Sequence, residues 1–212
     1  KDQTYALCNL TQKQLKNTLL PLGKYEKNEV RKMAEEAGIE VATKPDSMEI
    51  CFIPDRDYAG YLEKEYGIVA EKGNFVDIKG NILGEHRGII HYTIGQRKGL
   101  GIALGHPIFV TEIRPETNEV VIGENDDVFG YSLEANNLNA MAVEKFFDGM
   151  RAIGKIRYSH KGEHCTVKVL GEDRIRIDFD EKVRAITPGQ AVVLYDESGL
   201  VLGGGTIIGR CD

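Results

Sequence analysis

The chain has no run of about 18 consecutive apolar residues, which excludes a transmembrane helix. Its first residues, Lys1-Asp2-Gln3-Thr4-Tyr5, lack the charged-then-apolar layout of a secretory signal. They also lack an initiator Met, so the expectation is a chain that begins partway through a longer gene product. Cysteines are sparse and far apart: Cys8, Cys51, Cys165 and Cys211 form no C-x-x-C pair. That spacing argues against a structural zinc site, and against any metal site built on cysteine pairs. It argues equally against a disulfide-stapled secreted fold. The expectation is free thiols in a reducing cytoplasm. No internal repeat and no low-complexity segment occurs, and neither a Walker pattern nor a strand-Gly-helix dinucleotide fingerprint is present.

What is present is ordinary for a globular chain: 212 residues, 42% apolar and 28% charged. The length suits one large domain or two small ones. A net charge of −6 excludes a wholesale basic nucleic-acid binder but not a local basic face. The charge is unevenly spread. Residues 101–150 carry Arg114 and Lys145 against nine acids, whereas residues 151–176 carry seven cations against Glu163, Glu172 and Asp173. A positive stretch in an acidic chain fits either a polyanion partner or charge on the solvent side of strands.

The first 66 residues read as helical. Thr11-Gln12-Lys13-Gln14 has the form of a capping box, with Leu10 and Leu15 placed as a staple and Pro21 as the stop. A second helix is predicted from about Asn28, with Val30, Met33, Ala34 and Ala37 on one stripe and Gly38 at its C-terminal end. A third is predicted from Asp57 to about Gly67. From residue 68 the period changes to two. Phe75–Ile78 and Ile82-Leu83 flank a Lys79-Gly80-Asn81 turn, and Ile108–Ile113 pairs across Pro115–Asn118 with Val120–Ile122. After Leu133, short strands near 152–158, 165–170, 174–179, 191–195 and 200–208 suggest a small antiparallel barrel. Gly203-Gly204-Gly205 reads as a bend or bulge in one of these strands.

Four stretches could carry chemistry. Cys51 lies in a Pro-bracketed loop, Lys44–Pro54, where it is either a buried small hydrophobe or a thiolate-forming sulfur carrier. Thr93-Ile94-Gly95-Gln96-Arg97-Lys98-Gly99-Leu100-Gly101 is a Gly-rich turn with paired cations, fit for a tight turn or for holding phosphate. Arg157-Tyr158 puts a phosphate-pairing cation beside a ring able to stack on a base. Thr187-Pro188-Gly189-Gln190 turns a donor-and-acceptor amide outwards.

Lys1–Tyr5, Asp46-Ser47-x-x-Ile50-Cys51-Phe52-Ile53, Tyr92–Gly101, Arg157-Tyr158 and Val183–Gln190 together resemble the bacterial tRNA-specific 2-thiouridylase family, in that family's order and over essentially the whole chain. The resemblance implies an α+β fold in three parts. The first, residues 1–60, is a helical remnant of an α/β ATP-pyrophosphatase domain. The second, residues 61–133, is a small mainly-β central domain. The third, residues 134–212, is a C-terminal antiparallel β-barrel that binds tRNA. It also implies sulfur transfer from a cysteine persulfide to C2 of an adenylated wobble uridine. Cys51 matches the persulfide cysteine, whose disulfide partner would lie upstream. Lys1, Asp2, Gln3, Arg157, Tyr158 and Gln190 match tRNA contacts. ATP, with Mg, is the implied cosubstrate. The implied partners are a tRNA with a wobble uridine and a persulfide-donating sulfur carrier or cysteine desulfurase, with no membrane.

The family's S-G-G-x-D-[ST] phosphate loop is absent, and Met48-Glu49 stands where Thr-Gly is common. The expectation is therefore a piece that neither binds ATP productively nor thiolates tRNA by itself. The competing reading is a tRNA-binding module with no chemistry.

Overall fold

The computed structural model describes residues 3–42, 53 and 57–211. The chain divides into two compact units, one of residues 1–2 and 12–68 and the other of residues 3–11 and 69–212.

The first unit is helical, with α2 (Gln12–Lys16), α3 (Lys27–Glu36) and α4 (Tyr58–Tyr66). α2 ends well before Pro21. Asn17 and Thr18 turn their side chains back onto the carbonyls of Lys13 and Gln14, both at 2.7 Å, and so occupy acceptors at the end of the helix. α3 begins one residue before the expected Asn28, behind a reciprocal capping box in which the Glu29 carboxylate accepts from the Glu26 amide at 2.7 Å. Its predicted apolar stripe buries no residue in this structure. α4 matches expectation at both ends: Asp57 accepts from the Gly60 amide at 3.0 Å, and Gly67 closes the helix at φ +65°.

The second unit opens with a short helix that periodicity did not reveal, α1 (Thr4–Leu7). Next comes a four-stranded sheet of β1 (Gly73–Asp77), β2 (Ile82–His86), β3 (Phe109–Arg114) and β4 (Glu119–Gly123), in the order β2-β1-β4-β3. Both expected hairpins form, and β1 joins them by pairing parallel to β4. Phe75, His86 and Tyr92 meet edge to face in its core, with centroids 5.2–5.6 Å apart. The His86 ring accepts the Gly88 amide at Nδ1 (3.0 Å) and faces the Asn118 carbonyl with Nε2 (3.1 Å), which fixes the neutral tautomer protonated at Nε2. Burial holds the His86 pKa below the usual histidine value.

The third region is a closed barrel of six strands, all antiparallel, in the order β10-β5-β8-β7-β6-β9. Five match the expected strands: β6 (Met150–Lys155), β7 (Glu163–Gly171), β8 (Arg174–Arg184), β9 (Ala191–Tyr195) and β10 (Val201–Arg210). The sixth, β5 (Phe129–Ala140), was not expected. Its Asn136-Asn137 pair looks like a turn, but Asn137, at φ +49°, is a kink inside the strand, where the Asp173 carboxylate caps the amides of Asn137 and Leu138. The triple glycine acts as expected. A Cβ on Gly204 would lie 2.5 Å from the Val192 carbonyl and one on Gly205 2.7 Å from that of Asn136, so only bare backbone lets β10 sit between β9 and β5.

β9 explains its unbroken apolar run, Ala191-Val192-Val193-Leu194-Tyr195. Val192 and Leu194 point into the barrel core with Leu133, Val167 and Ile177. Val193 and Tyr195 point outwards but are buried as well, in a second cluster completed by Tyr5 and Cys8. A strand covered on both faces reads as continuous hydrophobicity rather than alternation. The cover is the N-terminal strap of residues 3–11. Its backbone is held by Asn139 of β5, which donates to the carbonyls of Cys8 (2.7 Å) and Leu10 (3.0 Å).

Candidate nucleic-acid interface

The basic stretch of residues 151–176 divides into two chemical populations. Arg151 pairs with Asp180 at 2.5 Å, Arg174 with Glu134, and Arg176 with Asp178 at 2.7 Å. These are cross-strand or same-strand partners on exposed barrel faces, so three of the seven positive charges are answered locally. Of the rest, Lys168 lies within β7, and Lys155, Arg157 and Lys161 gather where β6 turns towards β7. Lys155 lies over the Tyr195 ring, its ammonium 4.7 Å from the centroid. Arg157, Tyr158 and Lys161 follow in the turn, since β6 stops at Lys155 rather than running on to Tyr158.

Arg157 is anchored before it meets any ligand. Its Nη2 donates to the carbonyl of Arg184 and, at 2.8 Å, to that of Ala185. Ala185 is held at φ +56°, an uncommon backbone for a residue with a Cβ. No carboxylate among the described residues pairs with Arg157. Burial, and then the nearby charge of Arg184, hold the guanidinium below its ordinary pKa, with Tyr5 opposing. A nearby anion would offset the repulsion from Arg184.

Of the other matched residues, Tyr158, Gln190 and Gln3 are exposed, and Tyr158 and the backbone beside Gln190 are linked through one side chain. Tyr158 is 50% exposed, which leaves ring surface for stacking. Gln190 is exposed in a turn closed by its own amide on the Thr187 carbonyl at 3.3 Å, with Gly189 at φ +82°. Gln3 is exposed at the start of α1, where its carbonyl accepts from the Ala6 and Leu7 amides. Lys1, Asp2 and Cys51 lie outside the described residues. Sequence reasoning did not single out the residue that links these pieces, Tyr5. Its ring packs edge-on against Tyr158 (centroids 6.3 Å apart, planes at 76°), and its hydroxyl donates to the carbonyl of Ala191, next to Gln190, at 2.8 Å.

The Gly-rich turn after Tyr92 is braced from within. The Gln96 side chain accepts the Thr93 amide and donates to the Lys98 carbonyl, both at 3.0 Å. It is also tied to the barrel. Arg184 donates to the Gly95 carbonyl at 3.3 Å and lies over Phe109 and Phe129, 5.2 and 5.6 Å from their centroids. That geometry supports the tight-turn reading of the motif. Among the described cysteines, Cys8 and Cys165 are buried, and burial raises the thiol pKa of both, to about 12 for Cys165. Both are held as inert thiols. Cys211 is half-buried, with its Sγ 3.5 Å from the Ser132 hydroxyl.

Comparison with known proteins places the chain in a family. Three family models match in series: "tRNA methyl transferase HUP domain" over residues 1–55, "tRNA methyl transferase PRC-barrel domain" over 61–124 and "Aminomethyltransferase beta-barrel domain" over 132–207. A protein named tRNA-specific 2-thiouridylase MnmA from Lachnoclostridium phytofermentans is 63% identical over 98% of this chain and 58% of its own length. Proteins of the same name from Clostridioides difficile and Acetivibrio thermocellus are 54% and 51% identical, each over 98% of this chain and 57% of their own length.

The chain belongs to the tRNA-specific 2-thiouridylase family. It spans less than three-fifths of the length of these relatives. Its fold is the one expected of the family, with helices matched to the HUP domain followed by a small sheet and a closed barrel.

Proposed function

We propose that this chain serves tRNA 2-thiolation, with the barrel end described above holding the tRNA and Cys51 carrying the sulfur. The observation that carries the reading is that Tyr5 packs on Tyr158, next to Arg157, and bonds the Ala191 carbonyl, next to Gln190, in a chain whose relatives are named for this modification. Cations, an exposed ring and a free amide are the groups that bind a structured RNA through phosphate pairing, base stacking and edge recognition. Lys1 and Asp2, which match tRNA contacts by the resemblance, are assigned the same task.

The chemistry proposed runs in three balanced steps. The uridine O2 attacks the α-phosphate of ATP and expels pyrophosphate, so that AMP becomes a good leaving group. The terminal sulfur of a Cys51 persulfide then attacks C2, and AMP departs with the original oxygen. A second cysteine attacks the Cys51 sulfur, forming a disulfide and releasing the thiolate of 2-thiouridine. The ATP step, with its Mg, needs a phosphate loop of the S-G-G-x-D-[ST] type, which residues 1–212 do not contain. By this reading the isolated chain does not thiolate. A dithiol reductant then cleaves the disulfide and is itself oxidised, after which the freed Cys51 thiolate takes the outer sulfur of a persulfide-donating carrier or desulfurase, whose own thiolate departs; the reaction takes place in the cytoplasm alongside its tRNA.

Binding of a wobble-uridine tRNA transcript to the chain, followed by fluorescence anisotropy at several salt concentrations, tests the RNA half. Arg157→Ala should weaken binding and reduce the magnitude of the salt slope by about one. Tyr158→Ala should weaken binding with the slope unchanged. Binding that ignores salt and both substitutions would overturn the reading.

A further inference from the structure

We propose that Tyr5 is a positioning residue for tRNA binding, a side chain that sets the Tyr158 ring and the Gln190 turn in a common frame. The inference rests on the tRNA-binding reading of this barrel end and goes beyond it by assigning a role to a residue that need not touch RNA.

Three observations converge on Tyr5. Its ring edge meets Tyr158 in a T-shaped contact, and that is the only ring contact recorded for Tyr158 among the described residues. Its hydroxyl donates to the Ala191 carbonyl at 2.8 Å and thereby holds the backbone directly after Gln190. It also stands two residues after Gln3 in a strap that cannot drift. Asn139 holds that strap by two hydrogen bonds, its Cys8 is buried against the outer face of the barrel, and Thr4 donates to the Tyr195 hydroxyl at 3.3 Å.

The electrostatics fit a fixed donor. Burial first, then the neighbouring Cys8 and Tyr195, push the Tyr5 phenol up to about 12, so the hydroxyl keeps its proton throughout the working pH range. A half-exposed tyrosine in a turn otherwise samples several rotamers. Ordering it on binding costs roughly 0.5–1.5 kcal/mol for each immobilised side chain. A ring already held at 76° to a packed partner has met that cost during folding. The same holds for the Gln190 turn, which is closed by the Gly189 amide on Ile207 from one side and by Tyr5 on Ala191 from the other. Pre-organisation of this kind raises affinity without adding a contact.

The test is a double-mutant cycle on tRNA affinity, using the 212-residue chain and one wobble-uridine transcript. Tyr5→Ala should weaken binding about tenfold, similar to Tyr158→Ala. The Tyr5→Ala/Tyr158→Ala double variant should bind no more than about twofold weaker than either single variant, because both remove the same ordered ring. Tyr5→Phe should recover the part shared with Tyr158 but remain non-additive with Gln190→Ala. Val167→Ala, in the barrel core away from the strap, should lower the melting temperature and leave affinity unchanged, which separates positioning from stability.

Tyr5→Ala binding like the parent, or losses that simply add in the double variants while Tyr158→Ala is itself weakened, would overturn the inference and leave the tRNA reading intact. If Arg157→Ala, Tyr158→Ala and Gln190→Ala all bind like the parent, the underlying reading fails and takes the inference with it.

Discussion

The side-chain amide of Asn139 donates to the backbone carbonyl of Cys8 at 2.7 Å, across 131 residues of sequence. A second bond from the same nitrogen reaches Leu10 at 3.0 Å. One barrel side chain therefore pins the strap that covers the outer face of β9. Asn139→Ala should cost about 1–3 kcal/mol, because it leaves strap carbonyls without their donor. Urea denaturation measures the loss. Peptide-resolved alkylation should show faster labelling of Cys8 and no change at Cys165, which lies in the barrel core and not beneath the strap.

Acid should weaken the central sheet through His86. Burial lowers its pKa in the folded state, so the unfolded chain binds more protons as pH falls below the ordinary value of 6.5. The stability is fully present above that pH and is lost progressively below it. His160, lowered by burial and by Arg157, contributes with the same sign. Urea midpoints measured from pH 8 down to pH 5 should fall, and His86→Gln should flatten part of that dependence. A midpoint independent of pH across this range contradicts the neutral, doubly bonded His86.

Gly204 and Gly171 make a paired test of barrel packing. A Cβ at Gly204 meets the Val192 carbonyl at 2.5 Å, whereas one at Gly171 meets nothing within 4 Å. Gly204→Ala should cost about 1–3 kcal/mol, through displacement of a strand. Gly171→Ala should stay within about 0.5 kcal/mol. Thermal melts of the two variants decide it, and equal effects would contradict the close approach of β9 and β10.

Much of this architecture was legible in the residues. Asp57 and Gly67 mark the ends of α4 because a carboxylate cap and a left-handed glycine are local devices. The Lys79–Asn81 and Pro115–Asn118 turns likewise carry their own chemistry, so both hairpins could be read without the rest of the fold. β5 was not legible. Its asparagines imitate a turn, and only the Asp173 carboxylate, brought in by the β7–β8 hairpin, makes Asn137 a kink within a strand. The site was half legible. Arg157, Tyr158 and Gln190 stood out by type and as matched tRNA contacts; Tyr5 fell within a matched segment but had no role assigned, because its partners lie 153 and 186 residues away. Such contacts exist only once the strap has folded over β9, and no local pattern encodes them.

Wobble 2-thiouridine itself gives the most direct measurement. Nucleoside mass spectrometry of bulk tRNA should be compared between cells carrying the chromosomal gene unchanged, deleted, or altered to Cys51→Ser. Sulfur delivery through Cys51 predicts that the serine variant falls to the level of the deletion while its protein accumulates normally. Thiouridine at the unaltered level in the serine variant would contradict the account and leave a protein that holds tRNA without passing sulfur to it.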